Sequence, residues 1–247
     1  MKAQNPQNNT VASGSSGFAN NSQSGAVKKP GAGVFDDMIK STDGKLAQMG
    51  AKQAKSAAEL EPKAAGNFDN TLSPELIIPH FNIKPNEMVA DLGSGAGNFS
   101  LPIAKLLQEG GGEVYAVDVQ KDLLIKMLRE AKASGLNNIK AVWGDLDKVG
   151  GSKLPDASFD TAVMINTLFQ LENKQEAIKE VWRILKPLAR FIVFDWITDP
   201  KQSPIGPHES QRLSSQEIIE LVSDAGFMFM NEEKFGEHHA IFTFTKK

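Results

Sequence analysis

MVADLGSGAGNFS, residues Met88 to Ser100, is the stretch whose reading decides the fold. Met88-Val89-Ala90 is an apolar run of the kind a buried parallel strand shows. Asp91 and Leu92 close it. Gly93, Gly95 and Gly97 then alternate with small residues, and a helical pattern follows from Asn98 through Phe99, Ile103, Leu106 and Leu107. Strand, glycine turn and helix make the first βα unit of a nucleotide-binding α/β sheet. Glycine allows a tight turn and close approach of the backbone to a ligand. The helix N-terminus offers unpaired N–H groups to polar or anionic atoms. A glycine turn that only packs a helix on a strand is the plainer reading.

The spacing disfavours a dinucleotide and rules out a phosphate loop. A dinucleotide fingerprint needs glycine at the sixth position of the turn, where this chain has Asn98. A phosphate loop needs lysine followed by Ser or Thr, which is absent. What stands is D-x-G-x-G-x-G, with Asp91 just before the first glycine. An acid there repels a pyrophosphate and suits a ligand carrying a cationic amino group. S-adenosylmethionine carries an ammonium and a sulfonium, and the stretch resembles the first motif of class I S-adenosylmethionine-dependent methyltransferases.

Downstream, Gly110-Gly111-Gly112 breaks the helical pattern, and Val114–Val117 reads as a short buried strand ending in Asp118. An acid at the end of the second strand, roughly twenty residues past the glycine turn, is where a ribose is hydrogen-bonded. A carboxylate can accept from both vicinal hydroxyls. Capping of the next helix, Lys121 to Ala133, is the competing role, with Asp122 as a rival cap. Gly135 ends that helix. Ile139–Trp143 is a third strand, followed by Gly144, Asp145 and Leu146. The resemblance implies that Asp145 accepts from the adenine amino group and that the Leu146 N–H meets a ring nitrogen; a solvated turn acid is the alternative. It also implies a cofactor site made of Asp91, Gly93, Ser94, Gly95, Gly97, Asn98, Phe99, Asp118, Val119, Gly144, Asp145, Leu146 and Asn166.

Leu154–Asp160 leads into a fourth strand, Thr161 to Ile165, and is similar to the family's segment before that strand. Asn166 stands at the strand's carboxyl end, where open α/β sheets bind ligands. The resemblance makes it the candidate facing the transferred methyl; simply ending the strand is the other role. Asn173 and Glu176 have the spacing of a capping box for a helix burying Ala177, Ile178, Val181, Ile184 and Leu185. Lys186-Pro187 is followed by Leu188-Ala189 where relatives carry two glycines, so the turn into the fifth strand, Arg190 to Trp196, departs from the family pattern. A long polar loop with Pro204, Gly206, Pro207, His208 and Arg212 follows. Such loops often bind ligands. His208 is a candidate base and Arg212 a candidate for an anionic substrate group, against inert roles for both. Ser214 with Glu217 is a capping box for the last helix, which Gly226 ends. Met228–Glu233 and Ala240–Thr245 read as closing strands.

The resemblance spans about Asn67 to Thr245. It implies an α/β, Rossmann-like doubly wound sheet of seven strands, mostly parallel with an antiparallel last strand, and helices on both faces. It is closest to the ubiquinone/menaquinone C-methyltransferase-like group. A small-molecule methyl acceptor and in-line displacement are the implied chemistry, with a non-catalytic cofactor-binding or interaction module as the alternative. A nicotinamide reductase is disfavoured by Asp91 and Asn98.

Composition sets the outer limits. The 247 residues carry a formal net charge of -3, which does not favour a large nucleic-acid surface. No cysteine is present, so disulfides, thiolate nucleophiles and thiolate metal sites are excluded, and four histidines make a zinc site a poor expectation. No apolar run approaches the roughly 20 residues of a membrane span. The first residues lack the apolar core of a signal peptide, and a cytoplasmic location is expected by default. Residues 1–66 read as a disordered tail and partly helical linker, in which Phe35, Met38, Ile39, Leu46 and Met49 could form a docking face. The folded domain is expected from 67 to 247.

Overall fold

The computed structural model describes residues 73–198 and 206–247. The expected tail, its docking face, the domain start at Asn67 and Pro204 lie outside them. Seven strands form one sheet in the order β3-β2-β1-β4-β5-β7-β6. They are β1 (Met88–Leu92), β2 (Glu113–Asp118), β3 (Ile139–Trp143), β4 (Phe159–Ile165), β5 (Leu185–Trp196), β6 (Phe227–Phe235) and β7 (His239–Lys246). The first five pair in parallel; β7 runs antiparallel to both its neighbours, β5 and β6. This is the expected doubly wound sheet.

Side chains alternate between two layers. Ala162 and Met164 of β4 and Phe191 and Val193 of β5 face one way, against α4 (Lys174–Ile184) and α5 (Ser215–Asp224). Val163, Ile165, Ile192 and Phe194 face the other, against α1 (Pro74–Ile77), α2 (Ser100–Leu107) and α3 (Lys121–Ala133). With helices on both faces the strands read as continuous apolar runs. No helix among the described residues is long and apolar enough to cross a membrane.

Several boundaries differ from the sequence reading. The segment after Ser73 is α-helical only from Pro74 to Ile77 and continues as a 3₁₀ turn, Ile78–Phe81. Pro79 has no N–H to donate there. The helix after the glycine turn starts at Ser100, not Asn98. Asn173 makes no side-chain cap; its own N–H instead donates to Asp147 Oδ1 at 2.8 Å. Neither does Asp122 cap α3, whose N-cap is Gln120. Strand β5 begins at Leu185 rather than Arg190 and carries Leu188 at φ +63°, so the turn keeps a left-handed residue without its glycine. The Ser214–Glu217 capping box is present with both of its bonds.

Candidate functional site

From β1 the chain moves outward to β2 and β3, then returns to place β4 on the other flank of β1. That reversal opens a crevice at the carboxyl ends of β1 and β4. The glycine turn fills its floor. The Gly93 and Ser94 N–H groups both donate to the Val117 carbonyl, at 2.8 and 3.0 Å, which ties the turn to β2. Gly93, Gly95 and Gly97 all have positive φ. Their missing side chains do different work. A Cβ at Gly93 would lie 2.4 Å from the Thr167 side chain, and one at Gly97 would lie 2.3 Å from Met127. Those two glycines let β4 and α3 pack against the turn. A Cβ at Gly95 would meet nothing, so only this position faces open space.

Two buried acids frame the turn. Asp91 accepts from the Ser100 hydroxyl at 2.5 Å, and Asp118 Oδ2 accepts from the Gly95 N–H at 2.8 Å. Burial, helped by the nearby Asp118 charge and only partly offset by Ser100, raises Asp91 to a pKa of about 6. The Ser94 hydroxyl is buried here with no partner. A buried hydroxyl left unbonded costs roughly 1–3 kcal/mol. Acid-rich, open over Gly95 and holding an orphan donor, the turn fits a ligand that is cationic, polar and able to accept a hydrogen bond. The amino-acid moiety of S-adenosylmethionine has all three properties. A cleft of about 1060 Å³ opens from Asp91, Ser94, Gly95 and Asn98 past Phe99 to Asn166.

The second group of expected cofactor residues follows the carboxyl edge of β2 and β3, beyond that cleft. Asp118 Oδ1 accepts from the Gln120 N–H just before α3 while Oδ2 accepts from the Gly95 N–H, so it ties the start of α3 to the glycine turn, and no side chain caps that helix. Val119 is exposed, and its carbonyl accepts from the Trp143 indole N–H at 3.0 Å. Gly144 leaves no room for a Cβ, which would stand 2.8 Å from the Gly151 carbonyl. Asp145 is half-exposed and paired with Lys148 at 2.9 Å, which lowers its pKa first through that bond. Leu146 is buried under it.

The third group gathers at the ends of β4, β5 and β7. Asn166 has φ +51° and its N–H donates to the Phe194 carbonyl at 2.8 Å. Its side-chain Oδ1 lies 3.2 Å from His239 Nε2. His239 is buried, with its ring 3.9 Å from that of Trp196 and stacked on Phe194 at 5.0 Å. Burial, reinforced by His238 and Arg212, depresses its pKa to about 3. Asp195 is buried too, accepting from the N–H groups of Trp196 at 2.7 Å and Phe169 at 3.3 Å. Burial lifts its pKa to about 7, against those bonds. Neither His239 nor Asp195 stood among the sequence candidates. Arg212 is buried, placing its guanidinium over the Trp196 ring at 5.0 Å and donating through Nε to the Pro207 carbonyl at 2.9 Å. His208 is exposed, its Nδ1 bonded to Ser210 Oγ at 2.8 Å in its own turn. The structure therefore does not bring His208 to the cleft.

A doubly wound sheet with an acid-bearing glycine turn at its switch point defines an S-adenosylmethionine-dependent methyltransferase domain. The chain belongs to the family described as methyltransferase domain, which matches residues 83–233. It is 29% identical over 138 residues to sterol methyltransferase-like 3 of Botryococcus braunii, covering 56% of this chain and 34% of that protein. To a ubiquinone/menaquinone biosynthesis C-methyltransferase of Rickettsia bellii it is 27% identical over 116 residues, 45% of each. A solved structure of a SAM-dependent methyltransferase from Aquifex aeolicus superimposes with a TM-score of 0.64 at 26% identity, covering 70% of this chain and 89% of that one. The chain spans a third to a half of the length of these two curated relatives. S-adenosylmethionine is the cofactor that goes with this family and these neighbours.

Proposed function

We propose that this protein holds S-adenosylmethionine across the carboxyl ends of β1 to β3 and passes its methyl group to a small-molecule acceptor seated against Asn166. The carrying observation is the buried pair of acids on an open glycine turn, with Asp91 bonded only by a neutral hydroxyl. In this reading Asp91 and the turn from Gly93 to Phe99 hold the methionine part, Asp118 and Val119 the ribose, and Gly144, Asp145 and Leu146 the adenine. The cofactor would supply an electrophilic methyl carbon on a cationic sulfur. The chain's own part is alignment and exclusion of water, which can account for much of such a rate. Arg212, whose guanidinium lies over the Trp196 ring, would meet an anionic group on the acceptor. Two relatives are named for sterols and quinones, which supports a small organic acceptor here.

Calorimetry on the full chain tests the reading. S-adenosylmethionine and S-adenosylhomocysteine should bind and NADH should not. Binding of NADH alone would overturn it. A panel of phenols, quinols and amines with methyl-labelled cofactor then reads the transfer. Cofactor binding without transfer to any of them would favour a non-catalytic binding module.

A further inference from the structure

The Asn166 carboxamide has two ends that ask for opposite partners. Its oxygen accepts and its nitrogen donates. Which end faces the cleft decides which acceptor can lie there. Asn166 lines that cleft from the end of β4, and its Oδ1 lies 3.2 Å from His239 Nε2 on β7. The His239 ring packs against both Trp196 and Phe194, and the Arg212 guanidinium lies over the Trp196 ring. A ring packed among aromatics, with Arg212 and His238 as its charged and titratable neighbours, stays neutral; its depressed pKa agrees. A neutral imidazole donates from one nitrogen only. Bonded to a carbonyl oxygen, Nε2 must carry that proton.

Resting on the proposed methyl transfer, we infer that His239 is a positioning residue which fixes the Asn166 carboxamide with its nitrogen toward the cleft, so that the site takes an acceptor with a hydrogen-bond-accepting oxygen at the reacting end and discriminates against amines. The oxygen-bearing class covers phenols and enols, where methylation falls on oxygen or on the carbon conjugated to it. An amine acceptor would instead need the carboxamide oxygen to face it. The reversed carboxamide would set its own nitrogen against the His239 nitrogen and require the other tautomer. One proton on one buried ring thus sorts two classes of nucleophile.

Ring-nitrogen NMR of the labelled full chain reads the tautomer directly. His239→Phe, which keeps a flat ring and removes both nitrogens, identifies the resonance by its loss. The expected result is a neutral Nε2–H imidazole, unchanged between pH 7.5 and 5.0 and shifted in Asn166→Ala. A protonated Nδ1 or a titrating ring would overturn the assignment. With S-adenosylhomocysteine bound, 4-propylphenol should shift the Asn166 side-chain amide at a concentration at least tenfold below that of 4-propylaniline. His239→Phe should abolish the preference, and His239→Gln, which can still donate, should restore it. Equal response to both probes, response to neither, or a preference that survives in His239→Phe would sink the proposal. If the wild-type chain fails to bind S-adenosylhomocysteine, the proposed function falls; the tautomer still tests the positioning.

Discussion

At the scale of the residue, two of the expected cofactor carboxylates, Asp91 and Asp118, are buried. Asp118 is engaged by backbone N–H groups at both oxygens, yet a carboxylate has about four acceptor positions, so room remains for ribose hydroxyls. Asp118→Ala should weaken S-adenosylmethionine by about 1–3 kcal/mol, the scale of a charged hydrogen bond; unchanged calorimetric affinity would remove Asp118 from the site. Asp91 gives the binding a pH dependence of definite sign. Its pKa is raised to about 6 in the free protein, and a cationic ligand favours the anion, so a proton must leave on binding below that pH. Affinity should fall ~4-fold between pH 7.5 and 5.5 from this group alone, with proton release read from buffers of different ionisation enthalpy. Asp195 acts on stability instead. Its folded pKa of about 7 lies above the unfolded value, so its favourable contribution is complete below about pH 4 and is lost as pH rises through 7. The Trp196 and Phe169 N–H groups bond different oxygens, so Asp195→Asn keeps an acceptor for only one of them; the stability of the variant relative to the native chain should nevertheless rise by about 1–2 kcal/mol between pH 4 and pH 8. The acids at strand ends were legible because their spacing repeats the logic of the fold. Asp195 and His239 were not, since nothing local in the sequence distinguishes a buried polar residue from an exposed one.

At the scale of the element, the glycines and the strand order carry the design. Gly93 and Gly97 exist for packing, so Gly97→Ala should cost about 1–3 kcal/mol through collision with Met127, seen as a lower denaturation midpoint. The opposite change is available at Leu188, which holds φ +63° with its side chain 77% exposed. A left-handed conformation costs a non-glycine residue roughly 1–2 kcal/mol, and glycine's extra freedom in the unfolded chain returns part of that. Leu188→Gly should therefore raise stability by about 0.5–1 kcal/mol; a lower melting temperature would show that the leucine packs on something. The missing glycines were visible in the sequence, but the left-handed Leu188 that takes their place was seen only in the structure. The false capping box at Asn173 shows the limit of spacing: Asp147, distant in sequence, takes the N–H of Asn173 and sets that helix start. His239 could have been found by one further step. Once β7 is read as antiparallel, its first residue must lie at the carboxyl edge of the parallel strands, beside the site.

At the scale of the whole molecule, binding and folding are linked by mass action. A ligand at a hundred times its dissociation constant stabilises by about 2.7 kcal/mol. For a domain of this size that should raise the melting temperature by about 5–10 °C. S-adenosylmethionine should do so and NADH should not. Deletion of residues 1–33 is expected to leave both melting temperature and shift unchanged, by the composition of that stretch. The fold was legible from a few coincidences: a glycine turn, an acid one strand later, and a terminal strand pair with alternating residues. Their order along the chain leaves few sheets that satisfy all three. The site divided unevenly. The proposed cofactor half is local to β1, β2 and β3, whereas the proposed acceptor half joins Asn166 to a residue 73 positions later.

That separation sets an order of assembly as the chain is made. Domains form while synthesis proceeds from the N-terminal side. Both acids and the glycine turn exist long before β7 can be laid between β5 and β6. The growing chain thus acquires the parts of its proposed cofactor seat early, and the pairing of Asn166 with His239 only when the last strand is threaded in.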